Sequence, residues 1–212
     1  MSTSRAEAFS DGVFAIAATL LVLELKIPLT APGELLGALL DAWPSYATYV
    51  VSFLTIGIIW VNHHAIFERV RRVDRPLLFI NLIFLMMVAV IPFPTALLSD
   101  YLGEGHDDRL AAAIYGGTMW AMGLAICAIW AYAVRGGLLQ EGVDRELARR
   151  SLLMFAVGIP AYPLGIGVSA LSAKLGLAVY ALVALFYLFD VLPPLQRGNP
   201  KYPASTESGP TA

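Results

Sequence analysis

The chain has 212 residues, 58% of them hydrophobic and 14% charged, with a mean hydropathy of +0.70 and a formal net charge of −2. Soluble domains sit nearer half apolar and a quarter charged, so this composition excludes an ordinary soluble domain and points to an integral membrane protein. Without a basic stripe or zinc-finger spacing a nucleic-acid-binding module is excluded too, and the single cysteine, Cys127, excludes an intrachain disulfide.

A helix needs about 20 apolar residues to cross a bilayer, and the runs between charges predict an all-α membrane protein with six such helices. The first covers Arg5–Ile27. It resembles a signal peptide only superficially, since Glu7 and Asp11 are wrong for a basic leader, and it is expected to be retained. Ser4 with Glu7 fits a capping box before Arg5. The second run is Trp43–Phe67, the third Leu77–Leu98, the fourth Leu110–Val134, the fifth Ser151–Ala173 and the sixth Leu175–Leu192, interrupted by Asp190. Pro92, Pro94, Pro160 and Pro163 fall within these runs and predict kinks or loosened ends. Residues 1–197 thus form one six-helix domain, and residues 198–212, rich in Pro, Ser and Gly, are expected to be a disordered tail.

Lys and Arg set the direction. With the N-terminus inside, the inner segments hold Arg5, Arg69, Arg71, Arg72, Arg75, Arg135, Arg145, Arg149, Arg150, Arg197 and Lys201, against Lys26, Arg109 and Lys174 outside. Both termini are therefore expected to be cytoplasmic. This topology puts Ser10, Asp11, Asn62, His63, His64, Asn81 and Asp190 at one depth near the inner end. Buried ionisable groups in a membrane find partners. Arg5 and Asp11, six residues apart, point about 120° apart on a helix and suit each other poorly. Asp11 is expected to bond His63 or His64 instead. A structural clamp joining helices 1, 2 and 3 is one reading of this layer, and a proton relay or ion site another. Adjacent histidines are badly spaced for one metal ion. A Ser10–Asp11–His64 triad is hard to build from neighbours on one helix. Neither a cofactor nor enzymatic chemistry is expected.

Behind the polar layer, Phe9, Val13, Ile16, Leu20, Leu23 and Ile27 recur at helical spacing on one face. Helix packing or lipid contact explains such a stripe. So does a pore lining, because a ring of Ile or Leu gates by dewetting if several subunits each supply one helix to an axis. Thr19 lies at the edge of this face, where its hydroxyl bonds back to the Ala15 carbonyl or meets water.

The pattern Arg5, Phe9, Ser10, Asp11, followed by GVFAIAATLLVLEL, resembles the signature of the transmembrane protein 175 family, and SFLTIGIIWVNHH resembles that family's second helix. The likeness is dense over residues 5–27 and 52–64. It implies a potassium-preferring cation channel of the plasma membrane, the single-repeat prokaryotic form, assembled as a homotetramer around helix 1. By motif position it implies a constriction at Ile16, further rings at Leu20 and Leu23, and an influence of Thr19 on ion preference. Arg5, Phe9, Ser10, Asp11, His63, His64 and Asn81 would form the supporting polar network. The chain lacks the TVGYG filter, and an aliphatic ring offers no coordinating oxygen. Discrimination would come from the ions' dehydration costs and be modest. The rival reading is a proton- or cation-coupled transporter working through the Asp/His cluster. Against it, helix 1 has no Gly or Pro between Val13 and Ile27, whereas transporter sites favour broken helices near the midplane. A non-conducting scaffold is a third, with Gly116, Gly117, Gly165 and Gly167 allowing close helix packing.

Overall fold

The computed structural model describes residues 3–103, 105–144, 148 and 158–189. Asp190, Arg145, Arg149, Arg150, Arg197, Lys201 and the expected tail lie outside them. The described residues form helices α1 (Thr3–Leu20), α2 (Leu35–Asp41), α3 (Trp43–Phe67), α4 (Arg75–Val90), α5 (Pro92–Tyr101), α6 (His106–Arg135), α7 (Gly158–Ser169) and α8 (Ala173–Phe189). A 3₁₀ turn over Leu21–Glu24 extends α1. An isolated antiparallel β-bridge joins Val70 and Leu139.

Four stretches are long and apolar enough to cross a membrane: Thr3–Glu24, Trp43–Phe67, Arg75–Tyr101 and Asp107–Arg135. A shorter apolar helix, Ala173–Leu188, follows. The first stretch stops short of the expected Ile27. Leu25 is already extended (φ −79°, ψ 96°), and Ile27 precedes Pro28, whose ring disfavours helical backbone in the residue before it. The third stretch is two helices end to end. Pro92 has no N–H to offer the Val88 carbonyl, and the Ile91 N–H bonds it instead at 3.2 Å. The Thr95 N–H and hydroxyl then both donate to the Ile91 carbonyl, at 3.2 and 2.8 Å. Helix α2, seven residues between Gly33 and Trp43, was not anticipated from the sequence.

Local chemistry sets the ends. Asp74 caps α4 by accepting from the Leu77 N–H at 3.0 Å, and its other oxygen accepts from the Tyr132 hydroxyl at 2.9 Å. Helix α6 stops in a Schellman motif: Gly137 takes the left-handed conformation (φ 64°), and the Leu138 N–H reaches back to the Ala133 carbonyl at 3.0 Å. The turn after α3 is laced to the segment after α6. Arg71 N–H donates to Leu138, Gln140 N–H to Arg69, and the Gln140 side chain to the Glu68 carbonyl. At the opposite end of the bundle Lys26 pairs with Asp100 at 2.6 Å, and the Lys174 ammonium lies 5.5 Å from the Trp43 ring centre.

The core between these ends holds Trp130, Tyr115, Tyr180, Phe67 and Phe84, all fully buried. Small residues admit the largest of them. A Cβ on Gly116 would lie 2.2 Å from the Tyr180 hydroxyl oxygen, and one on Gly165 would lie 2.4 Å from that ring. Tyr180 therefore wedges α8 against α6 and α7, donating to the Ala112 carbonyl at 3.0 Å. Gly117 and Gly167 have nothing within 4 Å and allow no such approach.

Candidate pore helix and its anchor

Helix α1 has two apolar faces with different surroundings. Ala6, Ser10, Phe14, Ala17 and Leu21 recur every three or four residues and are at most 3% exposed. They pack on α3 and α4. Phe9, Ile16, Leu20 and Leu23 are 56%, 62%, 41% and 71% exposed. Leu23 belongs to the 3₁₀ turn, where residues three apart eclipse, so Leu20 and Leu23 stay in line with Ile16. Ile27, beyond the turn, is exposed outside the helix. Thr19 is also exposed, and its hydroxyl donates to the carbonyls of Ala15 (2.9 Å) and Ile16 (3.0 Å). Its proton is committed to the backbone, so its oxygen lone pairs are the free part of the group.

The buried face is fastened by one directional chain of hydrogen bonds. Ser10 gives its hydroxyl proton to the Ala6 carbonyl at 2.8 Å. Its oxygen can then only accept, and Asn81 Nδ2 donates to it at 3.0 Å. That orients the amide, leaving Asn81 Oδ1 to accept from His63 Nε2 at 2.9 Å. The network thereby assigns the His63 proton to Nε2. His63 Nδ1 is buried without a partner. The imidazole stacks on Phe67 and Phe84, with centroids at 4.4 and 5.4 Å, and Phe14 tilts against it at 5.5 Å. Helices α1, α3 and α4 thus meet in one sealed polar contact.

Beside this chain, and more exposed, α1 and α3 pair side by side. Glu7 Oε1 lies 2.8 Å from His64 Nδ1, an ion-pair distance without hydrogen-bond alignment. One turn further along, Trp60 Nε1 donates to Asp11 Oδ1 at 2.9 Å. Asp11 thus takes an indole and neither histidine, contrary to expectation. The reason is rotation: Glu7 and Asp11 are one turn apart on α1, and His64 and Trp60 are one turn apart on the oppositely running α3. His64 also lies 3.6 Å from Glu68 and stacks on Trp60. Both histidines bind helix α1, His64 through Glu7 and His63 through Asn81.

Asn62 faces elsewhere. It donates to its own Ile58 carbonyl and lines a small cavity of about 40 Å³ with Trp120, Tyr162 and Tyr187. Arg5 is exposed and makes no hydrogen bond or ion pair among the described residues. Arg69, in the turn after α3, donates to the Ala65 carbonyl. Burial pulls its guanidinium below the ordinary arginine value, and the Glu68 carboxylate opposes that. Ser10, Asp11 and His64 each answer to a different partner, so no nucleophile–base–acid line forms. Among the described residues no three His, Cys, Asp or Glu side chains converge as metal ligands.

A second buried polar contact, unforeseen in the sequence, lies deeper in the bundle. Ser52 on α3 bonds Thr95 on α5 at 2.8 Å and Tyr115 on α6 at 3.0 Å. Hydroxyls inside apolar helices usually bond back to their own turn, which hides such a set from sequence reading. The near-coincident depth of the three positions is the signal that would reveal it.

Fold and site together define a multi-pass helical membrane protein that keeps a broad apolar face of its first helix free and assembles no catalytic group among the described residues. Residues 5–92 match the family model described as the endosomal/lysosomal potassium channel TMEM175. A potassium channel of Streptomyces collinus is 52% identical over 193 residues, which is 90% of this chain and 94% of that one. An endosomal/lysosomal proton channel, TMEM175, of Bos taurus is 32% identical over 159 residues, 71% of this chain but 32% of the relative. The crystal structure of a lysosomal potassium-selective channel TMEM175 homologue from Chamaesiphon minutus superposes with a TM-score of 0.78 at 38% identity, covering 88% of this chain and 96% of that one. The chain belongs to the TMEM175 family: it is an ion-channel protein and not an enzyme.

Proposed function

We propose that the protein is a potassium-preferring cation channel of a prokaryotic plasma membrane. Four subunits of six crossings each, with both termini cytoplasmic, place α1 around a central axis. Ile16 makes the main constriction, and Leu20 and Leu23 make further rings toward the outside. The supporting observation is the free aliphatic face at Ile16, Leu20 and Leu23 on a helix whose other face is locked into the subunit. A ring of such side chains closes a pore by dewetting and makes an ion shed water to pass. Thr19, its oxygen lone pairs unused, sits beside the constriction and tunes the preference. Ser10, Asn81 and His63 hold the helix at its angle, with Asp11 and His64 bracing it. Arg5 and Phe9 belong to the same inner end of α1, and their exposure there suits contact with a neighbouring subunit.

The choice of potassium is supported by two relatives, matched over 94% and 93% of their own length, that are named potassium channels. The coupled-transporter reading draws less support. The histidine it would use most is sealed among Phe14, Phe67 and Phe84, and α1 runs unbroken from Thr3 to Leu20. The test is reconstitution in planar bilayers with potassium on one side and sodium on the other. A current reversing toward the potassium equilibrium potential is expected. Reversal at zero would remove the preference, reversal following an imposed pH gradient would make the ion a proton, and silence from folded, oligomeric protein would overturn the channel.

A further inference from the structure

Helix α2 carries an apolar surface that nothing in the subunit covers. Leu35, Leu36, Leu39 and Leu40 are all exposed, Leu36 and Leu40 by about two thirds, and α2 buries no residue at all. On a helical projection these leucines occupy an arc of about 140°, while Glu34, Gly37, Ala38 and Asp41 fill a separate arc of about 100°. The helix is short but cleanly two-faced. Gly33, in the left-handed region at φ 94°, turns the chain into it, and a single residue, Ala42, joins it to α3.

That junction fixes its depth. Trp43 and Tyr46, at the start of the membrane-crossing α3, are both partly exposed, and such aromatics mark the boundary between headgroups and acyl chains. Tyr101 is exposed where α5 ends. Lys26 and Lys174 lie at the same end through their contacts with Asp100 and Trp43, with their ammonium groups at the level where long cationic side chains reach water. Leu40 is three residues from Trp43, so the chain can carry it no more than roughly 10 Å from that marker. The exposed leucines of α2 therefore lie within reach of the boundary that Trp43 marks.

We propose that α2 is an interfacial helix, lying in the plane of the leaflet at the Lys26–Asp100 end with its four leucines in the headgroup–acyl boundary and Glu34 and Asp41 toward water. The partner is the lipid surface. No Lys or Arg occurs between Lys26 and Arg69, so the contact is apolar and needs no anionic lipid. A helix of this kind sits about 5–10 Å into the boundary. Residues 25–34, none of them helical, connect it to the end of the α1 extension. The inference requires only that α3 crosses the membrane and is independent of which ion passes.

The test uses the full chain in a Cys127→Ser background, with single substitutions Leu36→Cys, Leu40→Cys, Gly37→Cys and Asp41→Cys, each labelled with an environment-sensitive fluorophore. The protein is reconstituted in phosphatidylcholine vesicles with iodide on both sides, or with lipid spin-labelled near the top of the acyl chain. Labels at 36 and 40 are expected to be quenched by the spin-labelled lipid and shielded from iodide, and those at 37 and 41 to show the reverse. Iodide quenching at all four positions would put α2 in water and overturn the proposal. Shielding of 36 and 40 from both quenchers would overturn it too, by making the cover a second copy of the chain. Should a label at 36 or 37 disturb assembly, Leu39→Cys and Ala38→Cys repeat the contrast.

Discussion

On the inward face of α1, small residues predominate: Ala6, Ser10 and Ala17 flank Phe14 and let α3 and α4 approach closely. On the outward face stand Phe9, Ile16, Leu20 and Leu23, larger and exposed. Hydropathy alone ranks the outward face as the better core. Residue size and hydrogen-bonding capacity reverse that order, because a membrane offers lipid to any aliphatic side chain but only protein to a serine. The face that binds the subunit is therefore the one with Ser10 and the alanines. The aliphatic face is left to lipid or to other subunits.

Breaking the inward face should have the largest effect on stability. Asn81→Leu removes both the donor to Ser10 and the acceptor for His63 Nε2. His63 is then left with two unsatisfied ring nitrogens between phenylalanines. An unsatisfied buried polar group costs about 1–3 kcal/mol, so the detergent-solubilised variant should melt clearly lower and assemble poorly on size-exclusion chromatography. His63→Leu combined with Asn81→Leu should cost less than the sum of the two single changes, since each single change strands the other partner.

A second contrast tests close approach away from α1. Gly116→Ala drives a methyl into the Tyr180 hydroxyl, which is held by Ala112 and Ser169. Overpacking of this sort costs about 1–3 kcal/mol. Gly117→Ala, one residue on and with open space around it, should be neutral or stabilise by up to about 1 kcal/mol through helix propensity. Thermal melts of the two variants side by side separate packing from composition, since the substitutions are chemically identical. Smaller again is Ser52→Ala, which removes the hub between Thr95 and Tyr115. Thr95 keeps its bond to the Ile91 carbonyl, so the loss should be about 1 kcal/mol.

These cases also mark what the sequence makes legible. The α3 boundaries, Trp43 and Phe67, follow directly from the flanking charges, and the run Leu110–Val134 lies inside α6, because a charge at a membrane edge is a strong local signal. The depth of Ser10, His63 and Asn81 follows from topology. The pairing among them does not: whether Asp11 meets His63, His64 or Trp60 depends on how α1 and α3 rotate about their axes. The matched one-turn spacings, Glu7 with Asp11 and Trp60 with His64, carry that information only once the two helices are known to touch. Helix α2 is not legible, because a run of only seven residues behind Pro32, Gly33 and Glu34 reads as loop. The division of α4 from α5 was visible only as two prolines.

The smallest expected effect on stability is the most informative about the outward face. Ile16 touches little of its own subunit and is mostly exposed. Ile16→Asn should therefore change the melting behaviour of the isolated subunit fold by no more than about 0.5 kcal/mol, as for surface substitutions generally. If the side chain instead lines a pore, an amide there wets the constriction. Leak current should rise and the reversal potential should move away from potassium toward zero. Asp11→Asn supplies the complementary measurement, because it keeps an acceptor for Trp60 and lies off the aliphatic stripe, so its reversal potential should stay unchanged. An Ile16→Asn protein that melts normally and conducts like the parent would return the outward face to lipid, and with it the claim that the two faces of α1 divide anchoring from conduction. One that melts normally and leaks would assign conduction to a face whose residues the folded subunit does not use.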